Sequence, residues 1–264
     1  MSNPHLPTEI LDHIVDHLHD EEDELMSCCL VSKSWIPRTR KHLFADIEFA
    51  TAKRLQSWKK TFPDPSTSPT HYAKALTINC SNAFTAVDAE TGGWIRGFSR
   101  VEHLTVDLGF HQSAAPLIPI HGFSPVIKSF RVIFRAPPFL QVFNLILSFP
   151  LLEDLNVTIF EPSPDSGDGS EEDEIPTTTQ LSSPPMFTGS LELYSSRGME
   201  PFALRLLSLP SGIHFRKLTL TWLREGAHLM TTVLVERCSH TLESLDIDWI
   251  LLGTPLGICI CNEY

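Results

Sequence analysis

The chain has 264 residues, 42% of them hydrophobic, enough for one or two domains with a real core. It carries 32 acidic side chains against 20 lysines and arginines, a formal charge of −12, with no basic patch, which argues against binding nucleic acid. Its N-terminus is polar and lacks a leader pattern, and its longest apolar stretch, 139–152, is broken by Gln141, Asn144, Ser148 and Pro150, so no membrane span is expected.

In chain order, the first predicted elements are three short helices within residues 6–49. Pro7 and Glu9 suit a first helical turn, one through its fixed φ and the other by opposing the positive helix end. Ile10, Leu11, Ile14, Val15 and Leu18 then recur at helical spacing as one wide apolar stripe. Five consecutive acids at 20–24 open a second helix, whose apolar positions are Leu25, Cys28 and Cys29. Ser32 or Ser34 is placed to cap a third. The last turns of that helix carry Arg38, Arg40, Lys41 and His42, where cations suit the negative end. Three helices in about 40 residues are too small to bury this apolar surface alone. The remainder needs a partner or the rest of the chain.

The ordered run Leu6-Pro7, Glu9-Ile10, Ile14, Leu18, Leu25, Leu30-Val31-Ser32-Lys33-Ser34-Trp35 and Leu43-Phe44 resembles the F-box of many fungal proteins. That resemblance implies docking to the Skp adaptor, and through it to the cullin, of a Skp–cullin–F-box ubiquitin ligase. The rest of the chain would present a protein substrate. By the same resemblance Leu6, Pro7, Ile10, Ile14, Leu18, Leu25, Leu30, Val31 and Trp35 are the adaptor-binding residues. Two departures stand out: residues 19–24 are very acidic, and Ser32 stands where many F-boxes have cysteine. The implied division is an F-box at 1–50, a linker at 51–71 and a substrate-recognition domain at 72–264.

After residue 70 a short pattern recurs: an apolar residue, two variable ones, then Leu-x-apolar. It runs through Val101–Leu104–Val106, Leu152–Leu155–Val157, Phe215–Leu218–Leu220 and Leu242–Leu245–Ile247, with looser copies at Leu76, Phe130 and Leu191. These anchors are spaced by 28, 26, 25, 36, 27 and 27 residues, a period in the leucine-rich-repeat range. Helical segments are expected between them at 139–149, 202–209 and 228–238. Strand and helix alternating at fixed period predict an α/β fold, an irregular leucine-rich-repeat solenoid with parallel strands. The repeats lack the consensus asparagine. Leucine-rich repeats after an F-box are also a familiar arrangement.

Strand parity sorts the faces. Residues four places after each anchor, Cys80, Leu108, Phe134, Ile159, Trp222 and Trp249, are mostly large and apolar and belong in the core. Residues one and three places after it face the other way. Thr77, Asn79, Thr105, Asp107, Arg131, Ile133, Asn156 and Thr158 begin that row. Glu192, Tyr194, Thr219, Thr221, Asp246 and Asp248 complete it. This polar, mildly acidic strip is the candidate substrate-binding surface, suited to a protein with a basic or mixed patch.

The long spacing holds an acidic insertion, about 161–185, rich in Ser, Thr, Pro, Asp and Glu and too poor in apolar groups to fold. Its seven acids at 161–174 and the five at 20–24 equal the whole acidic excess of the chain. Within it Asp165-Ser166-Gly167-Asp168-Gly169-Ser170 resembles a phosphodegron, making Ser166 and Ser170 candidate regulatory sites. Catalytic readings find little support. His13 and His17 lie four apart without the Glu of a zinc-protease helix, Cys259 and Cys261 lack a second ligand pair, and no phosphate loop or nucleophile elbow is present. The six scattered cysteines suit reduced thiols in cytoplasm or nucleus. The segment 250–261 is apolar and cysteine-rich, so either it folds back as a cap or the chain is a shortened relative of longer proteins. The reading is a non-enzymatic adaptor without cofactor or metal, with an interaction scaffold outside ubiquitination as the alternative.

Overall fold

A computed structural model describes residues 7–79, 89–108, 123–135, 139–160, 185–195, 199–223, 228–251 and 254–260. Among these residues the chain opens with three helices, α1 (Thr8–His17), α2 (Glu22–Val31) and α3 (Ile36–Leu43). Strand β1 (Asp46–Phe49) follows, then α4 (Ala52–Thr61), a 3-10 turn (Pro69–Tyr72), β2 (Ala75–Asn79), α5 (Ala89–Arg96) and β3 (His103–Asp107). Next come β4 (Ser129–Arg135), α6 (Phe139–Leu147), β5 (Asp154–Phe160), β6 (Ser190–Ser195) and α7 (Met199–Leu207). The last elements are β7 (Lys217–Leu223), α8 (His228–Cys238), β8 (Ser244–Leu251) and β9 (Thr254–Ile260).

The nine strands form one sheet in chain order. Strands β1 to β8 are parallel, and β9 turns back antiparallel along β8. This is an α/β arrangement, a helical start followed by a parallel sheet whose strands alternate with helices. The register brings the predicted anchors into one row, Leu76, Leu104, Phe130, Leu155, Leu191, Leu218 and Leu245, each beside the next. All but the half-buried Leu245 are buried, as are Ile78, Val106, Val132, Val157, Leu193 and Leu220 two places on. A one-residue slip would turn both rows to the opposite face, so burial itself fixes the register. Helices close this face with apolar residues at helical spacing: Val142, Phe143, Leu145 and Ile146 from α6, Phe202, Ala203 and Leu206 from α7, and Met230, Leu234 and Cys238 from α8. Phe134 and Ile159 are buried and Leu108 packs against the core, as parity predicts. Cys80 and the side chains of Trp222 and Trp249 lie outside the described residues.

The sheet begins one strand earlier than the spacing suggests. Ile47 pairs with Leu76 and heads the anchor row from within the stretch assigned to the N-terminal unit. Residues 51–71, expected as a linker, hold α4 and the 3-10 turn. Thr51 caps α4 by accepting from the Arg54 N–H at 3.3 Å. Leu55 of this helix is buried, and Trp58 packs edge-on against Phe44 and Phe49.

Hydrogen bonds at the strand entrances account for the near-constant period. The carbonyl of Ala45 accepts from the N–H groups of both Lys74 and Ala75, and that of Lys74 from Glu102 and His103. The pattern repeats from Glu102 to Lys128 and Ser129, from Lys128 to Glu153 and Asp154, from Gly189 to Arg216 and Lys217, and from Arg216 to Glu243 and Ser244. Each strand thus starts at a fixed offset from its predecessor. At the long spacing the device changes: Gly189 still donates to Glu153, but Ser190 N–H bonds the Asp154 carboxylate at 2.7 Å. A Cβ on Gly189 would clash with that carboxylate and lie 2.9 Å from the Glu153 carbonyl, so this close approach requires glycine.

Candidate functional site

Helices α1 and α3 are tied by one carboxylate. Arg38 of α3 makes a two-pronged contact with Asp16 of α1, and His42 Nε2 lies 2.7 Å from the same group. The hydrogen bonds from Arg38, then His42, hold the Asp16 carboxyl well below the usual range and strengthen the guanidinium's hold on its proton. Beneath this clamp Val15, Leu25, Cys28 and Thr39 are buried. Thr39 Oγ1 donates to the Trp35 carbonyl at 3.0 Å and sits 2.9 Å from Cys29 Sγ. Burial pushes the Cys28 thiol up, away from reactivity.

Helix α1 begins where Pro7 and Glu9 indicate, and α2 opens on Glu22, Asp23 and Glu24. The expected serine cap on α3 is absent. Ser32 ends α2 in extended conformation, its hydroxyl pairs with Ser34, and Trp35 occupies the cap position without a side-chain bond. Pro37 in the first turn supplies the start signal instead.

The apolar stripe of α1 divides. Val15 is buried, Leu11 and Leu18 are half-buried, and Ile10 and Ile14 stay outside at 49% and 42% exposure. On α2, Leu30 and Val31 are 89% and 68% exposed. Pro7 is exposed and Trp35 half-buried, while Leu6 lies outside the described residues. Leu25 is the exception among the predicted contact residues: fully enclosed, it holds the helices together and presents no surface. Sequence reasoning missed Met26, which is exposed and one turn before Leu30. The i, i+4 relation of Met26 and Leu30 was the available signal. Ile10 and Ile14 form a matching exposed pair on α1. Exposed apolar pairs on both helices are unusual unless another molecule covers them.

The second candidate surface is the sheet face opposite the core. Register aligns Thr77, Thr105, Arg131, Asn156, Glu192, Thr219 and Asp246 in one row, and Asn79, Asp107, Ile133, Thr158, Tyr194, Thr221 and Asp248 in the next. Arg131 and Asp246 are exposed, most others partly so, and Thr158 is buried. Asn156 Nδ2 donates to Glu192 Oε2 at 2.6 Å. On either side of Glu192, Asn156 Oδ1 and Thr219 Oγ1 are buried without a hydrogen-bond partner. Such groups carry a desolvation cost that a bound donor would relieve. Ser166 and Ser170 lie outside the described residues.

No group of three or more His, Cys, Asp or Glu among the described residues is arranged to hold a metal ion. His13 and His17 meet edge-on at 4.6 Å, and His17 Nδ1 turns to its own helix at the His13 carbonyl, 2.9 Å away. No helix of the described residues is long and apolar enough to cross a membrane.

Residues 4–36, the stretch that carries both exposed pairs and the buried Leu25, match the F-box-like family model. The chain carries an F-box-like domain. F-box domains typically bind the Skp adaptor in Skp–cullin–F-box complexes, so the domain suggests an F-box protein with an adaptor role. Comparison with curated proteins and with solved structures finds no match.

Proposed function

We propose that this protein is a non-catalytic substrate-recognition adaptor of a Skp–cullin–F-box ubiquitin ligase. The observation that carries the reading is the set of apolar side chains that the F-box-like domain leaves outside, Ile10, Ile14, Leu30 and Val31. Burying them against the Skp adaptor would recover about 25 cal/mol for each Å² of apolar surface removed from water. Pro7, Leu18 and Trp35 complete the contact, and Leu25 supports it from beneath. Cullin joins through the adaptor.

The strands that follow act as an irregular leucine-rich-repeat solenoid, supported by the near-constant anchor spacing and the single anchor row. Its outward strip, with Asp107, Arg131, Ile133, Asn156, Glu192, Tyr194, Thr219, Asp246 and Asp248, selects a protein substrate. The unpartnered oxygens of Asn156 and Thr219 beside Glu192 favour a substrate that brings hydrogen-bond donors. The complex works in the cytoplasm, the nucleus or both, and ubiquitin transfer falls to other subunits.

Coexpression of the whole chain with the Skp adaptor and cullin, followed by affinity capture, tests the reading. Copurification of both is expected. A folded chain that captures neither would remove the ligase role.

A further inference from the structure

A cleft of about 600 Å³ lies where the N-terminal helices meet the first strand. The α1–α2 turn, the end of α3, β1 and α4 all contribute to its lining. Phe44, Trp58 and Phe62 provide an aromatic wall, with ring centroids 4.7 to 6.3 Å apart. Four exposed carboxylates, Asp20, Glu22, Asp46 and Glu48, also line the cleft. Against them stand the Arg54 guanidinium, 3.8 Å from Glu48, and the His19 ring, 3.0 Å from Asp20. The cleft therefore combines apolar rings with a net negative charge.

Trp58 adds a second, independent observation. Its Nε1–H is buried and has no acceptor, whereas a buried indole N–H ordinarily finds one.

We propose that this cleft binds a protein segment carrying a lysine or arginine beside an apolar residue. The long aliphatic stem of such a side chain lies on the rings, and its cationic head reaches the carboxylates. An acidic segment would be repelled. None of Ile10, Ile14, Leu30 and Val31 lines the cleft, although Leu25 does. The inference is independent of the adaptor role.

The test is a titration of the whole, isotope-labelled protein with a short amidated peptide alternating leucine and lysine. The readout is the Trp58 indole resonance, assigned with Trp58→Phe. A saturable shift is expected. Asp20→Asn with Glu22→Gln and Asp46→Asn should weaken binding about tenfold, from loss of three exposed charge contacts. Glu192→Gln with Asp246→Asn and Asp248→Asn removes the same charge from the strip, and should leave binding within about twofold. Retained spectral dispersion shows that both variants fold. An unmoved Trp58 resonance, equal weakening by the two variants, or an equal response to a leucine–glutamate peptide would overturn the proposal.

Discussion

In α1 and α2 the large apolar side chains divide: Val15 and Leu25 are inside, while Ile10, Ile14, Met26, Leu30 and Val31 are outside. From β2 to β7 the anchor row is wholly hidden, and the exposed Leu151, Met186, Leu204 and Leu229 lie off the strands. The sheet completes its own core by repetition, each strand covering the edge of the last. The helical unit is too small to do so and leaves apolar side chains exposed. The contrast separates residues that hold the fold from residues that the proposed adaptor docking would cover.

Four substitutions sharpen or break that contrast. Phe130→Ala removes a fully buried ring from the anchor row and should cost about 3–5 kcal/mol in denaturant unfolding. A loss below about 1 kcal/mol would mean that the row is not the structural spine. Gly189→Ala forces a methyl against Asp154 and the Glu153 carbonyl and should cost about 1–3 kcal/mol by the same measurement.

Asp16 offers a pH test of the helical clamp. Its carboxyl titrates lower in the folded protein than its ordinary value of 3.8, because Arg38 and His42 bond the charged form. The clamp therefore supplies stability in full above that value. As pH falls below 3.8 the unfolded chain takes up the proton first, and the contribution fades. Asp16→Asn should lower stability at neutral pH and flatten the acid limb of the stability profile. An unchanged acid limb would mean that the clamp contributes nothing.

The smallest expected effect is Leu30→Ala. At 89% exposure its truncation should leave folding stability within about 0.5 kcal/mol, measured by thermal melting. A large loss would place Leu30 in a core and dissolve the contrast.

Much of the sheet was legible because repetition amplifies a weak signal. Leu104 or Leu218 alone says little, but anchors at a nearly fixed interval define both register and face. Helix α8 follows its predicted span of 228–238 because its apolar residues lie between two clear anchors. The first strand escaped notice because Asp46–Phe49 follows α3 directly in the chain and carries only one anchor, Ile47. The site was harder to read. Leu25 and Leu30 are both leucines on one short helix, and only the packing of α3 against α2 decides which is covered. The Asp16 clamp joins residues 22 and 26 apart, a distance over which no local pattern operates. The cleft draws on four separate elements and has no sequence signature.

The most direct measurement is calorimetric titration of the Skp adaptor into the whole protein and into an Ile14→Asp, Leu30→Asp variant. One-to-one binding by the native chain is expected, with loss in a variant whose thermal melting is unchanged. Absence of binding by the folded native chain, or undiminished binding by the variant, would contradict the assignment of these exposed side chains to adaptor docking.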